Sequence, residues 1–233
     1  MWKEVTQNNG TFTIFGLNFK HGLTTKQQGD FRSTETDRIQ ALAQRIEAKS
    51  TIIMKPMHGD TVVLRTANGN KLPLMEIVEC DAIIYFSPAA HPKTTTAIIG
   101  NTGDCPYVFI ADPLRRLIAL IHCSRHTLKK GLLEKTISTI LGKTDLKKRY
   151  LLFGIWPGIG PCCYNFTGKF NKITIDGSLN LAKLIVEKIL NLQFPENQIS
   201  VPGAICSSCH PDLFSHQKGD RESNGIFITN SQS

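Results

Sequence analysis

A cysteine and a histidine frame two consecutive apolar runs in the middle of the chain. The stretch TGDCPYVFIADPLRRLIALIHCSR, residues 102–125, has Cys105 before the first run and His122 at the end of the second. If Pro113 and Leu114 are the central residues of a turn, Cys105 and His122 are directly opposite in an antiparallel hairpin. Opposed Cβ atoms lie about 4.5–5.5 Å apart, so thiolate and imidazole could bind one metal ion or each other. A single bulge would break this register.

A third candidate ligand lies in KPMHGDTVV, where His58 precedes Gly59 and Asp60 at a turn between two strand-like runs. Loop ends commonly present ligands. Two histidines and one cysteine form a tridentate set for zinc, and the vacant fourth position for water or substrate is typical of catalytic sites. A position at such a turn also fits a His58 that is only a turn residue or a hydrogen-bonded core group.

The remaining cysteines allow several interpretations. The chain has seven, an odd number that includes the adjacent Cys162 and Cys163. This count does not fit a small disulfide-bonded secreted domain, and we expect reduced thiols in a cytoplasm. The stretch CSSCH, residues 206–210, matches a c-type haem attachment sequence and a redox C-x-x-C motif. PGIGPCCY could bind an anion through glycine amides or form a tight turn that lines a pocket.

Hydrophobic periodicity predicts the elements that must position these residues. Apolar residues at helical spacing predict helices over 36–49, 128–141 and 179–192. Ser33, Thr34 or Thr36 is expected to cap the first. Runs rich in isoleucine, valine and aromatic residues predict strands over 51–54, 61–65, 82–86, 97–100, 107–111, 117–121 and 150–155. The strands lie mostly between helices, which favours a mixed α/β sandwich with the helices outside the sheets, in a single domain over 1–233.

Composition limits the partners. The chain has 233 residues, a net charge of +8 and a pI near 9.2. Its basic residues form only short groups with no interleaved aromatic pattern, so we expect a solvated surface and no nucleic-acid partner, although a negatively charged small substrate would suit this charge. The first residues lack a leader pattern, and nowhere do about 18 apolar residues follow one another. We therefore expect a soluble cytoplasmic protein with no membrane association.

Six motifs in order resemble those of the YfiH-like family, also called multicopper polyphenol oxidase or laccase-domain proteins and more recently described as purine nucleoside phosphorylases. They are HGLTTKQQGD, MHGDTVV, CDAII, TGDCPYVFIADP, WPGIGPCCYNF and ICSSCHPDLFSHQ. The resemblance runs from about His21 to Ile228. It implies a four-layer α/β/β/α sandwich related to the cytotoxic necrotizing factor deamidases. It also implies that His58, Cys105 and His122 bind the family's zinc, and that the cysteines of CSSCH are structural loop residues.

The resemblance implies a function as well. The family's reported activities are phosphorolysis of adenosine, inosine, guanosine and methylthioadenosine, together with adenosine deamination. Copper-dependent phenol oxidation is the older attribution, and histidine and cysteine ligands could accept copper too. The expected partners are therefore a purine nucleoside and phosphate, with Cys105, His122 and Asp104 as catalytic residues. Nothing in the sequence indicates the oligomeric state.

Departures from the family pattern affect phosphate binding. The family typically reads H-A-G-W-R-G after the metal histidine, whereas this chain has HCSRHTL, which puts Arg125 at the tryptophan position and His126 at the arginine position. Lys26 replaces the arginine of H-G-F-S-T-R. A guanidinium holds phosphate through paired hydrogen bonds that an ammonium or imidazole does not reproduce. Lys26 and Arg125 are the candidate phosphate-binding residues.

The same residues allow two alternatives to a metal-dependent enzyme. Cys105 could be a thiolate nucleophile with His122 as its base in an amide hydrolase. The chain could also be a catalytically lapsed family member that acts as a binding protein. Asp104 and Asp60 could orient a metal-binding imidazole or move protons, although an aspartate beside a strand end is more often a local turn acceptor.

Overall fold

The computed structural model describes residues 2–3, 5–8, 11–14, 19–67, 73–88, 92, 94–156, 158–164, 174–175, 178–203 and 205–231. The described strands are β1 (Trp2–Lys3), β2 (Val5–Asn8), β3 (Thr11–Ile14), β4 (His21–Thr24), β5 (Ser50–Lys55), β6 (Val62–Thr66), β7 (Met75–Glu79), β8 (Ala82–Phe86), β9 (Thr96–Thr102), β10 (Tyr107–Ala111), β11 (Leu117–His122), β12 (Leu152–Trp156), β13 (Thr174–Ile175), β14 (Ser178–Leu179), β15 (Ile199–Pro202) and β16 (Asn224–Thr229). The described α-helices are α1 (Thr36–Arg45), α2 (Arg125–Lys129), α3 (Leu132–Lys143) and α4 (Leu181–Asn191).

Two mixed seven-stranded sheets form the centre of the structure. The first sheet has the order β1-β15-β12-β10-β11-β8-β6, and the second has the order β2-β3-β4-β16-β9-β5-β7. β13 and β14 pair only with each other among the described strands. No helix in the described part of the chain has both the length and the apolar character needed to cross a membrane.

Successive side chains of a strand point to opposite faces of its sheet, and the buried apolar residues accordingly form three clusters. In β8, Ala82 and Ile84 pack in a cluster with residues of α3 and α4, whereas Ile83 and Tyr85 pack in the cluster between the two sheets. A third cluster joins α1 to the outer face of the second sheet. Burying one such isoleucine contributes about 1.5–3 kcal/mol. The layers are therefore helix, sheet, sheet and helix, which confirms the predicted sandwich.

The predicted hairpin register between β10 and β11 is wrong by two residues. Tyr107, not Cys105, is opposite His122. The turn is longer than predicted because Arg115 adopts a left-handed conformation with φ of 59°. Its N–H donates to the carbonyl of Asp112 at 2.7 Å, so Pro113 and Leu114 are central in that turn as predicted, but strand pairing resumes only where the N–H of Asp112 donates to the carbonyl of Leu117 at 3.1 Å.

The predicted helix over 128–141 is two helices. Gly131 has φ of 75° and separates α2 from α3, a conformation that glycine adopts without a steric penalty. The apolar spacing continues across the break, so periodicity does not reveal it. The predicted helix over 36–49 ends at Arg45, because Glu47 is left-handed with φ of 60°. The predicted capping residues are also wrong, since Glu35 is the N-cap and makes no side-chain capping bond.

Most predicted strands are confirmed with small changes at their ends. The strand predicted over 150–155 begins at Leu152, because the residues before it form a short 3₁₀ turn, Lys148–Tyr150. The strands not predicted from the sequence are β1, β2, β3, β4, β7, β13, β14, β15 and β16. Among these, β15 and β16 each place a chain segment beside the site described next.

Candidate metal centre

Two loops and the end of one strand bring His58, Cys105 and His122 together. His58 lies between β5 and β6, Cys105 lies two residues before β10, and His122 is the last residue of β11. One donor atom from each residue lies within 4.8 Å of the other two. The imidazole rings of His58 and His122 have centroids 4.9 Å apart and are nearly perpendicular, at 88°. The three residues predicted as metal ligands are therefore a single cluster.

The two-residue error in register does not separate Cys105 from His122. Side chains alternate along a strand with a period of two, so a shift by two residues keeps a side chain on the same face. Tyr107 takes the position opposite His122, and their rings have centroids 5.2 Å apart. Cys105 lies two residues earlier and reaches the same cluster from just outside the strand.

Asp81, directly before β8, orients His122. Its Oδ1 lies 2.9 Å from Nδ1 of His122, and both side chains are buried. Burial raises the pKa of Asp81, but the hydrogen bond from His122 and the backbone N–H groups of Gly59 and His58 outweigh it and hold the pKa below its usual value. The ionised carboxylate accepts from Nδ1–H, which leaves Nε2 with a lone pair for a metal ion.

The same carboxylate fixes the loop that presents His58. The backbone N–H groups of Met57, His58 and Gly59 donate to Asp81 at 3.2, 2.9 and 2.7 Å. His58 itself is left-handed, with φ of 56°, a conformation that costs a non-glycine residue on the order of 1 kcal/mol. Asp81 therefore holds a strained turn in the conformation that places His58 beside His122.

The three donors fit a metal ion. His122 is buried, Cys105 is half-buried and His58 is exposed, so the cluster extends from the core to a solvent-accessible side. Two imidazoles and a thiolate are ligands that zinc and copper both accept. At zinc bond lengths, such donors are roughly 3.3–3.6 Å apart, and the observed separations are at most 4.8 Å. An ion held by these three ligands would keep a fourth position for another ligand.

A cavity of about 350 Å³ opens beside the cluster. It is lined by His58, Asp104, Cys105, Ser124, Arg125, His126, Ile159, Tyr164, Leu181 and Gln217. This volume lies within the range of small-molecule sites. Its wall combines apolar surface from Ile159 and Leu181 with the aromatic ring of Tyr164 and the guanidinium of Arg125.

Asp104 lines the cavity but makes structural hydrogen bonds. Oδ1 accepts from the hydroxyls of Ser207 and Ser215, both at 2.7 Å, and Oδ2 accepts from the backbone N–H of Gln217 at 2.8 Å. Its carbonyl accepts from the N–H of Ile159 at 2.7 Å. Asp104 thus connects two segments of the cavity wall beside Cys105: its carboxylate holds the segment between β15 and β16, and its carbonyl holds the segment after β12.

Two other predicted residues lie elsewhere. Lys26 is not among the cavity-lining residues; its Nζ lies 3.2 Å from Asp220 and 5.3 Å from the ring centroid of Phe214. Asp60 is exposed and pairs with Lys135 at 3.0 Å, and among its described contacts there is none with an imidazole. Of the two candidate phosphate ligands, only Arg125 lines the cavity.

Sequence reasoning missed Asp81 as a functional residue. Its motif, CDAII, is recognisable, but His122 lies 41 positions away and no spacing rule connects them. Tyr164 was also missed. It is the last residue of PGIGPCCY, so its place in the cavity wall agrees with the predicted position of that turn beside a pocket.

Comparisons with known proteins agree with this fold. A family model described as multi-copper polyphenol oxidoreductase laccase matches residues 18–230. YlmD from Geobacillus stearothermophilus has a TM-score of 0.77 and 19% identity, covering 98% of this chain and 99% of that one. The hypothetical protein YfiH of Bacillus licheniformis has a TM-score of 0.75 and 18% identity, covering 96% and 98%. Neisseria meningitidis protein NMB0706 has a TM-score of 0.63 and 16% identity, covering 91% and 93%. No curated protein matches the sequence.

Proposed function

The chain belongs to the multi-copper polyphenol oxidoreductase laccase family, the YfiH-like group, and from that premise we propose that it is a zinc-dependent purine nucleoside phosphorylase with adenosine deaminase activity. Its proposed substrates are phosphate and the nucleosides adenosine, inosine, guanosine and methylthioadenosine. The observation that carries the proposal is the position of the His58–Cys105–His122 cluster in the wall of a cavity that also contains Arg125 and Tyr164.

The cavity suits a flat base and an anion. An aromatic side chain such as Tyr164 offers a face or an edge to a purine, while Ile159 and Leu181 supply apolar surface. Arg125 is the cation of the wall that can hold phosphate through two parallel hydrogen bonds. Burial and the nearby charge of Arg125 lower the pKa of His126, so its imidazole is neutral at pH 7 and adds little attraction for an anion. Phosphate binding therefore depends mainly on Arg125.

The two proposed reactions use these residues differently. In phosphorolysis a phosphate oxygen bonds to C1′ of the ribose while the C1′–N9 bond breaks, and the released purine takes up a proton. Arg125 would orient the phosphate for that attack. In deamination water replaces the 6-amino group of adenosine, giving inosine and ammonia, with no role for phosphate. His58, Cys105 and His122 would hold the metal ion, which would supply Lewis acidity when bound.

The protein residues around the ligands hold this geometry. Asp81 fixes the imidazole of His122 and the turn of His58, so neither ligand has to reorganise. Asp104 connects Ser207, Ser215 and Gln217 and keeps the wall beside Cys105 in place. In this account Asp104 is a positioning residue, because its carboxylate oxygens already accept hydrogen bonds from the protein.

One observation favours a second candidate function. Cys105, His122 and Asp81 are arranged as a nucleophile, a base and an orienting carboxylate, which is the order of groups in a cysteine hydrolase. An amide hydrolase of this kind needs no metal. It gives no role to His58, whose strained backbone conformation brings a second imidazole to the thiol. The metal-dependent function gives a role to His58 as well as to Cys105 and His122.

A product assay tests the proposal. Zinc-loaded protein is incubated with adenosine, with and without phosphate, and inosine, adenine and ribose 1-phosphate are quantified. We expect inosine in both conditions, adenine and ribose 1-phosphate only with phosphate, and loss of all products in Cys105→Ser. Loss of activity with a thiol alkylator but not with a chelator would favour the amide hydrolase. No product in either condition would contradict the proposal and favour a binding protein.

A further inference from the structure

Four cysteine thiols form a second cluster, separate from His58, Cys105 and His122. Cys162 and Cys163 lie in the segment after β12, and Cys206 and Cys209 lie in the segment after β15. Their Sγ atoms all lie within 4.8 Å of one another. We propose that these four thiolates bind a structural zinc ion. The proposal is independent of the function proposed above.

The sheet topology explains why the two cysteine pairs meet. β12 and β15 are adjacent and parallel in the first sheet, with Phe153 beside Ile199. Parallel neighbours end at the same edge of a sheet, so the segments that follow them leave from neighbouring positions. Cys-x-x-Cys in one segment and Cys-Cys in the other are therefore delivered to one place by the fold.

The thiol distances fit a tetrahedral site. Sγ of Cys209 lies 3.2 Å from Sγ of Cys163 and 3.5 Å from Sγ of Cys162. Four sulfurs bonded to zinc at about 2.3 Å are about 3.8 Å from one another. These two separations are shorter than that value and the others are at most 4.8 Å, so side-chain rotations would complete the site.

The backbone around Cys206 has the form of a metal-binding turn. The N–H groups of Cys209 and His210 donate to the carbonyl of Cys206 at 3.1 and 2.9 Å, which closes a tight Cys-x-x-Cys turn. The N–H of Gly160 donates to Sγ of Cys206 at 3.1 Å. A Cβ atom at Gly160 would lie 3.1 Å from Cβ of Cys206, so glycine lets the two segments approach closely. Hydrogen bonds to ligand atoms of this kind orient and support metal-bound thiolates.

Thiol chemistry favours zinc over a disulfide. Cys209 is almost equally close to Cys162 and Cys163, so neither is selected as a single disulfide partner. One disulfide would also leave two thiols of the cluster unused. A tetrahedral set of four thiolates selects zinc or iron, and zinc is the ion without redox chemistry of its own. Four-coordination with protein ligands alone leaves no open position and indicates a structural role.

The proposed zinc site supports the wall of the cavity. Tyr164, which follows Cys163, lines the cavity. Ser207, inside the Cys-x-x-Cys turn, donates its hydroxyl to Asp104 at 2.7 Å and its N–H to the carbonyl of Gly158 at 3.0 Å. A metal ion that joins the two segments would thus hold the groups that position the chain beside Cys105.

Metal content of the full chain, purified without oxygen, tests the site. The variants are Cys209→Ser and Cys162→Ser, with Cys80→Ala as a matched control, because Cys80 is buried and outside both clusters. We expect each serine variant to lose about one equivalent of zinc per chain relative to wild type, and the control to lose none. An unchanged zinc content in both serine variants would overturn the proposal.

A spectroscopic measurement covers the case in which the serine variants fail to fold. Cys105→Ser keeps the four-cysteine cluster intact, so X-ray absorption of its zinc should show four sulfur neighbours at about 2.3 Å. Fewer than four sulfurs, or iron or copper instead of zinc, would overturn the assignment. So would a disulfide among the four cysteines, detected by mass spectrometry after alkylation of the protein prepared without oxygen.

Discussion

Oδ1 of Asp81 lies 2.9 Å from Nδ1 of His122, and the same oxygen accepts the backbone N–H of His58 at 2.9 Å. One buried carboxylate therefore positions two metal-binding candidates that are 64 residues apart in the sequence. His122 is held through its ring and His58 through its backbone. The candidate metal centre depends on this residue as much as on its ligands.

Asp81→Asn should weaken zinc binding about 10- to 100-fold, the usual effect of removing a carboxylate that orients a ligand histidine. The amide replaces Oδ2 with a donor, so it loses the hydrogen bond from the N–H of Gly59, and it removes the negative charge that favours His122 as an Nδ1–H donor. A competition titration with a chromophoric chelator measures the affinity. Asp60→Asn is the matched control, because Asp60 pairs with Lys135 on the surface and should leave the affinity unchanged. Equal affinities for wild type and Asp81→Asn would contradict the role of Asp81.

Arg125→Gln should lower kcat/KM for phosphate in phosphorolysis by about 10- to 100-fold, the value of a hydrogen bond to a charged group. Adenosine deamination, which uses no phosphate, should change much less. Steady-state rates at varied phosphate measure both. Lys26→Gln is the control, because Lys26 pairs with Asp220 and does not line the cavity. A larger effect from Lys26→Gln than from Arg125→Gln would show that phosphate binds elsewhere.

His21 should make stability depend on pH. Its ring is buried against Phe19 and Phe109, and burial lowers its pKa to about 4, although a hydrogen bond with the Phe19 carbonyl partly opposes this. Between about pH 4 and 6.5 the unfolded chain binds a proton at His21 that the folded chain does not. Stability is therefore complete above pH 6.5 and falls as the pH decreases, by about 3 kcal/mol in total.

Urea unfolding of the metal-free protein from pH 4 to 8 measures this dependence. Comparison with His21→Phe isolates the contribution of this residue, because all other titrating groups are shared. We expect the variant to have a smaller slope in that interval. Identical slopes would mean that His21 titrates alike in the folded and unfolded chains.

Gly158→Ala should destabilise the protein by more than about 3 kcal/mol. A Cβ at this position would lie 1.6 Å from the carbonyl oxygen of Asp104, a backbone atom that can move only with the segment before Cys105. Gly142→Ala in α3 is the control. Its Cβ would meet nothing within 4 Å, and alanine should stabilise the helix by about 0.5–1 kcal/mol. Urea unfolding distinguishes them, and similar stabilities for the two variants would be inconsistent with the close approach of Gly158 to Asp104.

The sequence predicts those parts of the fold whose signal is local. Strands such as β8 and β11 are continuous apolar runs because both faces are covered, one by helices and one by the other sheet. β4 and β16 contain glycine and polar residues, and their pairing joins segments about 200 residues apart. No local pattern indicates such a pair. The break at Gly131 was missed for the opposite reason, because the apolar periodicity continues through it.

The sequence predicted the three ligand residues of the candidate site but not Asp81, which positions two of them. Because side chains alternate along a strand, a register that is wrong by two residues still places Cys105 and His122 on the same face of the sheet. The register itself depends on the conformation of the turn at Arg115. Asp81 and the convergence of the four cysteines both depend on which strands are neighbours. That information lies in the topology and not in the spacing of residues along the chain.

The central claim is that His58, Cys105 and His122 together bind one metal ion, and zinc stoichiometry with affinity tests it most directly. Wild-type protein, Cys105→Ser and His58→Ala are loaded with zinc, desalted and analysed for metal per chain. The account predicts that each variant loses about one equivalent relative to wild type, while the four-cysteine zinc remains. Equal zinc content and affinity in wild type and both variants would contradict it.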